Sequence, residues 1–186
     1  MNGDKDLQLL SNIKKGDRSA MSDLYLCYIG YLRALCSRYI PDDNDVKDIL
    51  QTCFVKIFTS LDKFQYRGPG SLRAWMSRIA VNESLKFLSS ARKTDSFKDG
   101  LMKDMPEEDG DEPEIDGIPA NVLQQMIREL PDGYRTVFNL YVLEEKSHKE
   151  IASMLGITDS TSASQFHRAR NILAKKIKEY RKHTDR

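Results

Sequence analysis

The sequence predicts an all-α protein made of two small helical domains joined by an acidic flexible linker. Three observations predict it. Apolar residues recur at three- and four-residue spacing through most of the 186 residues, and no alternating run is long enough to argue for a sheet. One polar stretch, Lys93 to Pro119, interrupts the pattern with ten acids against three bases. Residues 1–92 hold 14 bases against 10 acids, and residues 120–186 hold 12 against 8. The net charge of +1 therefore hides two basic bodies flanking an acidic strip. With 31% charged and 40% hydrophobic residues, the composition suits a soluble globular protein.

The first body opens with MNGDKDLQLL, which has no long apolar run and so no signal peptide is read there. Leu24, Cys27, Tyr28, Tyr31, Leu32 and Leu35 form one amphipathic stripe. Val46, Ile49, Leu50, Cys53, Phe54, Ile57, Phe58 and Leu61 form a second, and Leu72, Trp75, Met76, Ile79, Ala80, Leu85 and Leu88 a third. Pro41 to Asn44 breaks the first two helices and offers caps for the next. Tyr66 to Ser71 holds two Gly and a Pro and cannot be helical throughout. The three cysteines, Cys27, Cys36 and Cys53, lie among apolar helical residues with no CxxC spacing. They read as buried, reduced thiols of a cytoplasmic protein. No apolar stretch approaches the ~18–20 residues of a membrane span.

The acidic stretch cannot bury enough apolar surface to offset its ordering entropy. It reads as a linker over 93–118 rather than as a loop of one continuous domain. A charged, extended spacer explains its composition; screening of the basic bodies by its acids is the other reading.

Four short helical patterns follow: Val122 to Leu130, Tyr134 to Val142, Ile151 to Leu155, and Phe166 to Tyr180. Ser147 can cap the third and Thr158 the fourth, with Asp159 favourable in its first turn. Ala152 is small where two helices must approach, and Gly156 supplies a left-handed turn residue flanked by Leu155 and Ile157. This is the spacing of a helix-turn-helix, whose second helix enters the DNA major groove. Phe166 and Ala169 are expected to face inward. Ser160, Thr161, Ala163, Ser164, Gln165, His167 and Arg168 are expected to face outward, where Gln and Arg can make bidentate contacts to base edges. Arg170, Lys175, Lys178, Arg181 and Lys182 suit backbone phosphates. An ordinary hairpin of helices with a solvated basic face would share these features.

Two stretches of the first body narrow the choice. Asp45, Asp48, Ile49, Gln51, Phe54, Lys56 and Phe58 follow D-x-x-D-[ILV]-x-Q-[ED]-x-F-x-[KR]-x-[FWY]; Trp75, Met76, Arg78, Ile79, Ala80 and Asn82 follow F-x-x-W-[LM]-x-R-I-A-x-N. In the second body, Leu130 to Phe138, Ser147 to Thr158 and Thr161 to Arg170 match L-P-x-x-Y-R-x-V-F, S-x-x-E-I-A-x-x-L-G-I-[ST] and x-T-x-x-S-x-[LIF]-x-R-A-R. At these residues the chain resembles a bacterial extracytoplasmic-function sigma factor of the sigma-70 family. The resemblance implies a region 2-like domain over 5–92 and a region 4-like helix-turn-helix over 119–184. It implies that the first binds RNA polymerase core and melts the minus-10 promoter element, and that the second reads the minus-35 element.

Carried over, Asp48, Gln51 and Lys56 fall in the polymerase-binding helix. Tyr66 to Ser71 is the loop that captures a flipped base, and Arg78 and Asn82 lie on the helix facing the non-template strand. The residues themselves agree. Tyr66 is an aromatic on a mobile loop beside Arg67, suited to stacking an unpaired base. Arg73 and Lys86 add bases to the melting surface. Trp75 fits either the core or a base contact. Thr161, Ser164, Gln165, His167, Arg168 and Arg170 are the expected minus-35 residues. Thr52 stands where many members carry Glu, Ser162 replaces a usual apolar residue, and Ala163 and Gln165 replace usual bases.

Implied partners are RNA polymerase core (its clamp helices and flap), promoter DNA, and an anti-sigma factor, often membrane-anchored in the family. No cofactor, metal or small-molecule substrate is expected: His148, His167 and His183 lack ligand or nucleophile spacing, and no phosphate-binding glycine motif occurs. A stand-alone repressor or activator with a helical sensor domain is the rival reading.

Overall fold

The structure is a computed structural model that describes residues 3–91 and 116–184. Among the described residues there are eight α-helices, one short 3₁₀ turn and no strand, as an all-α reading requires. They separate into two compact units, residues 1–89 and 90–186. The acidic stretch expected to be a linker lies outside the described residues except for its end. There Asp116 accepts a hydrogen bond at its carbonyl from Arg181 (3.1 Å) and Ile118 packs on the second core. The last residues assigned to the linker thus belong to the packing of the second unit.

The first unit comprises α1 (Gly3–Lys14), α2 (Arg18–Cys36), α3 (Asp43–Ser60), the 3₁₀ turn Leu61–Lys63 and α4 (Ser71–Ala91). Asp42 caps α3 by accepting from the amides of Asn44 (2.8 Å) and Asp45 (3.0 Å), which fixes where that helix begins. The core is built from the stripes read in the sequence. Leu24 and Leu32 of α2, Val46, Cys53 and Ile57 of α3, and Leu72, Met76 and Ala80 of α4 are fully enclosed. Each large aliphatic side chain so buried is worth about 1.5–3 kcal/mol against exposure.

Two features depart from the sequence reading. Helix α1 was not anticipated: its apolar face is only Leu9, Leu10 and part of Ile13. A polar bond completes it, for the Tyr28 hydroxyl donates to the buried Asp6 carboxylate at 2.7 Å. Burial, and then that acidic neighbour, push the Tyr28 phenol well above its ordinary range. The second departure is Cys27, which is exposed, while Cys36 and Cys53 are buried. Position 27 falls beside the buried line of Leu24, Tyr28 and Leu32, one residue off the stripe centre.

The second unit comprises α5 (Ala120–Arg128), α6 (Asp132–Val142), α7 (His148–Leu155) and α8 (Asp159–Thr184). Met126, Leu130, Tyr134, Ala169, Leu173 and Ile177 form its core cluster. At its centre lies an unexpected charge. The side chain of Arg135 is 2% exposed. It donates to the carbonyls of Leu130 (2.8 Å) and Arg128 (3.2 Å) and pairs with Asp132. The guanidinium satisfies carbonyls that the end of α5 leaves without helical partners, and it ties that end to the start of α6. Arg135→Ala should therefore destabilise the second unit by about 3–5 kcal/mol, because a buried ion pair and two bonds to carbonyls are removed together. The shift of the denaturant midpoint measures this; a loss under about 1 kcal/mol would mean the arginine is incidental.

Candidate nucleic-acid interface

The helix-turn-helix forms as its residues demand. Ser147 and Glu150 make a reciprocal capping box: the Ser147 hydroxyl accepts from the Glu150 amide (3.3 Å), and the Glu150 carboxylate accepts from the Ser147 amide (2.9 Å). The Ser147 amide, and then the Ser147 hydroxyl that donates to the same carboxylate at 2.8 Å, hold the Glu150 carboxyl below its usual range. Helix α7 ends at Gly156, with φ 67° and ψ 34° in the left-handed region, and the Gly156 and Ile157 amides both return to the Ala152 carbonyl. Thr158 then caps α8, accepting from the Thr161 amide at 3.1 Å.

The orientation of α8 corrects one assignment. Its inward face is Ser162, Gln165, Ala169, Leu173 and Ile177. Gln165, expected to meet base edges, is 1% exposed and cannot do so while α8 is packed. Ser162 is likewise enclosed, and its hydroxyl lies 3.0 Å from His148 Nδ1 of α7. That bond lets a polar residue occupy a position between two helices where an apolar one would also fit. Phe166, expected to face inward, is half-buried among Tyr141 (4.4 Å between ring centroids), His148 (5.9 Å) and Phe138 (6.0 Å).

The outward face of α8 carries Ser160, Ala163 and Ser164, with Thr161, His167, Arg168 and Arg170 half-buried along its edges. Arg168 Nη1 donates to the Tyr134 hydroxyl at 3.4 Å, and His167 Nε2 lies 3.1 Å from Asn171 Nδ2. Both side chains are thus held from within the protein. Lys175, Lys178 and Lys182 are exposed further along the helix.

In the first unit, the loop before α4 is fastened rather than loose at its end. The Ser71 hydroxyl accepts from the Arg67 amide (3.1 Å) and donates to the Gly68 carbonyl (2.7 Å). Gly68 and Gly70 hold φ 115° and 83°, a backbone that favours glycine. The loop leaves Arg67 exposed and Tyr66 half-exposed at the head of α4. Trp75 resolves neither way completely: it is half-buried, with its ring 4.9 Å from Phe64. Arg73 lies over the Tyr31 ring at 3.9 Å, a cation–π contact that fixes its direction. Arg78, Asn82 and Lys86 are exposed and four residues apart, so they form one row along α4.

On α3, Asp48 and Gln51 are exposed together with Thr52 and Val55. Lys56 differs from them. It is half-buried, and its ammonium donates to Glu83 of α4 at 2.6 Å. Sequence reasoning missed Glu83, Arg135 and the His148–Ser162 contact, because all three depend on which residues of different helices meet. It also missed exposed apolar side chains: Tyr141, Val142 and Leu143 at the end of α6, and Met154 on α7.

A helix-turn-helix unit, and a second helical unit with an exposed row of basic and amide side chains beside a glycine-rich loop, define a DNA-binding protein of two modules. Known proteins place it more closely. Residues 24–94 match the family model for sigma-70 region 2, and residues 120–173 match that for sigma-70 region 4. The chain is 31% identical to the ECF RNA polymerase sigma factor SigW of Bacillus subtilis (strain 168), over 91% of this chain and 95% of that protein. It is 30% identical to the ECF RNA polymerase sigma-E factor of Escherichia coli (strain K12), over 92% and 94%. Two solved structures are similar: CnrH in complex with the cytosolic domain of CnrY (24% identity, TM-score 0.47, 92% and 96% covered), and RpoE in complex with the anti-sigma factor NepR from Bartonella quintana (23%, 0.49, 84% and 96%). The chain belongs to the ECF sigma factors of the sigma-70 family. It is an alternative sigma factor that directs promoter-specific transcription with RNA polymerase. No helix among the described residues is long and apolar enough to cross a membrane.

The inward position of Gln165 yields a prediction. Gln165→Ala should cost about 1–3 kcal/mol of stability and weaken binding to all minus-35 variants alike. Ser164→Ala should leave stability unchanged and alter the ranking of those variants. Melting curves and binding to a panel of single-base variants separate the two; a changed base preference in Gln165→Ala would contradict the packing of α8.

Proposed function

We propose that the first unit docks on the clamp helices of polymerase and opens the minus-10 element, while the second reads the minus-35 element with α8. The observation that carries this reading is the exposed row Arg78, Asn82 and Lys86 leading away from the Tyr66 loop. An aromatic at the head of a basic and hydrogen-bonding row suits a single strand, with one base stacked and its backbone followed. Asp48 and Gln51 of α3 are the polymerase contacts of this reading. Thr161, Ser164, His167, Arg168 and Arg170 are its minus-35 contacts, with Ser160 added because it is exposed on the same face.

The exposed apolar side chains of Tyr141, Val142 and Leu143 at the end of α6 suit the polymerase flap as their partner. The protein works in the cytoplasm, performs no catalysis of its own, and is restrained by an anti-sigma factor. Such a partner would compete for the surfaces that polymerase uses, as the exposed apolar side chains of both units permit.

Run-off transcription with core polymerase tests the whole. New discrete transcripts that require this chain support the reading, and their start sites locate both promoter elements. Sequence-specific duplex binding by the chain alone, with no new transcripts, would favour a repressor or activator instead. At the loop, Tyr66→Ala in the polymerase holoenzyme should weaken binding to a single-stranded minus-10 oligonucleotide by about 1–3 kcal/mol. Fluorescence anisotropy reads that loss, and duplex minus-35 binding should not change.

A further inference from the structure

Glu83 is the first unit's enclosed carboxylate on α4, one residue beyond Asn82. Its side chain is 10% exposed. Oε2 accepts from Lys56 of α3 at 2.6 Å, and Oε1 accepts from Lys86 of α4 at 3.0 Å. Each oxygen therefore holds one ammonium, and the two lysines flank a single negative charge. Burial would raise the Glu83 pKa, but the two lysines outweigh it and hold the carboxyl below its usual range. The acid is thus ionised at neutral pH.

The arrangement is odd for a DNA-facing helix. A carboxylate beside the row Arg78, Asn82 and Lys86 repels phosphate, so its presence costs affinity. It would be tolerated where it supplies something else. What it supplies is geometry. Lys56 reaches across from the helix that carries Asp48 and Gln51, so the bridge links the row on α4 to α3. On the other side, Glu83 holds the Lys86 ammonium, whose side chain is 69% exposed, in one place along the row. A lysine is otherwise a flexible stem with a point charge, and pinning it selects one phosphate position over many.

We propose that Glu83 is a positioning residue for promoter opening: bridged to Lys56 and Lys86, it registers the DNA-facing row of α4 on the polymerase-facing helix α3. The inference rests on the reading of α4 as the minus-10 surface. Lys56 then acts within the unit, through Glu83, and its charge is committed there rather than offered to polymerase.

The test uses full-length chain assembled with core polymerase. Glu83→Gln keeps the size and a polar acceptor but removes the charge. Without the carboxylate the two ammonium groups repel and separate. Opening of the minus-10 region, read by permanganate reactivity of unpaired thymines, should fall about fivefold. Binding to promoter duplex should at the same time become more steeply salt-dependent, by about one unit of log K against log salt, as Lys86 becomes available to any phosphate. In a Lys86→Gln background, Glu83→Gln should lower opening by less than it does in the unsubstituted chain. A merely structural role would lower the melting temperature and make the losses of opening in Glu83→Gln and Lys86→Gln additive, and that result overturns the proposal. So does unchanged opening in Glu83→Gln. Asn82→Ala serves as the control for the underlying reading: if it lowers opening while Glu83→Gln does not, α4 remains the minus-10 surface and only the positioning role is lost. If Asn82→Ala leaves opening intact, the surface assignment and the proposal fall together.

Discussion

The left-handed turn at Gly156 is the constraint on which the DNA-reading half of the molecule depends. Helix α7 has eight residues, too few to persist in water by its own hydrogen bonds. It exists because both ends are satisfied and one face is covered. The capping box at Ser147 and Glu150 closes the first turn, and the Ala152 carbonyl collects two amides at the last. A Cβ at position 156 would meet open space, so crowding is not the reason for glycine. The reason is φ 67°, which an L side chain adopts only at a cost of about 1–2 kcal/mol. That turn sets the direction of α8, and so which of its residues can meet a base.

Once α8 is set, polar contacts between helices decide which face is which. Ser162 and Gln165 lie in the interior because they fall on the line of Ala169, Leu173 and Ile177, not because they are apolar. His148 receives the first of them. Arg135 plays a related part where α5 meets α6, spending a full charge on two carbonyls and one acid. Such groups are costly to bury and costly to orphan, so they specify one arrangement of short helices where apolar contacts alone would tolerate several.

Periodicity made most of this fold legible. The stripes of α2, α3, α4 and the four helices of the second unit are visible because apolar residues mark them. Helix α1 escaped because two leucines and an isoleucine, completed by the Asp6–Tyr28 bond, make too thin a stripe. Cys27 misled because a residue adjacent to a stripe counts as apolar in a pattern yet points past the core. Gln165 misled for the opposite reason. Chemistry suggested base contact, while its spacing of four from Ala169 already placed it inward; where the two disagreed, spacing was the better guide. The candidate site in the first unit was legible only as residue types along one helix. The Lys56–Glu83–Lys86 bridge was not, because residues 56 and 83 meet only when two helices pack.

The same bridge shows how far net charge overstates a DNA-binding surface. The first 92 residues carry four more bases than acids, and the last 67 do so too, yet many of those bases are engaged by the protein. Arg135 is enclosed, Lys176 pairs with Glu129 at 2.5 Å, and Lys56 and Lys86 share Glu83. Others point outward, among them Arg67 at the loop, Arg78 along α4, and Lys175, Lys178 and Lys182 along α8. Each base held by an acid of the protein gains less from phosphate alone, so a larger share of selectivity comes from where each contact falls. For a subunit that must choose promoters among a large excess of other DNA, restrained charge held in place favours discrimination over affinity.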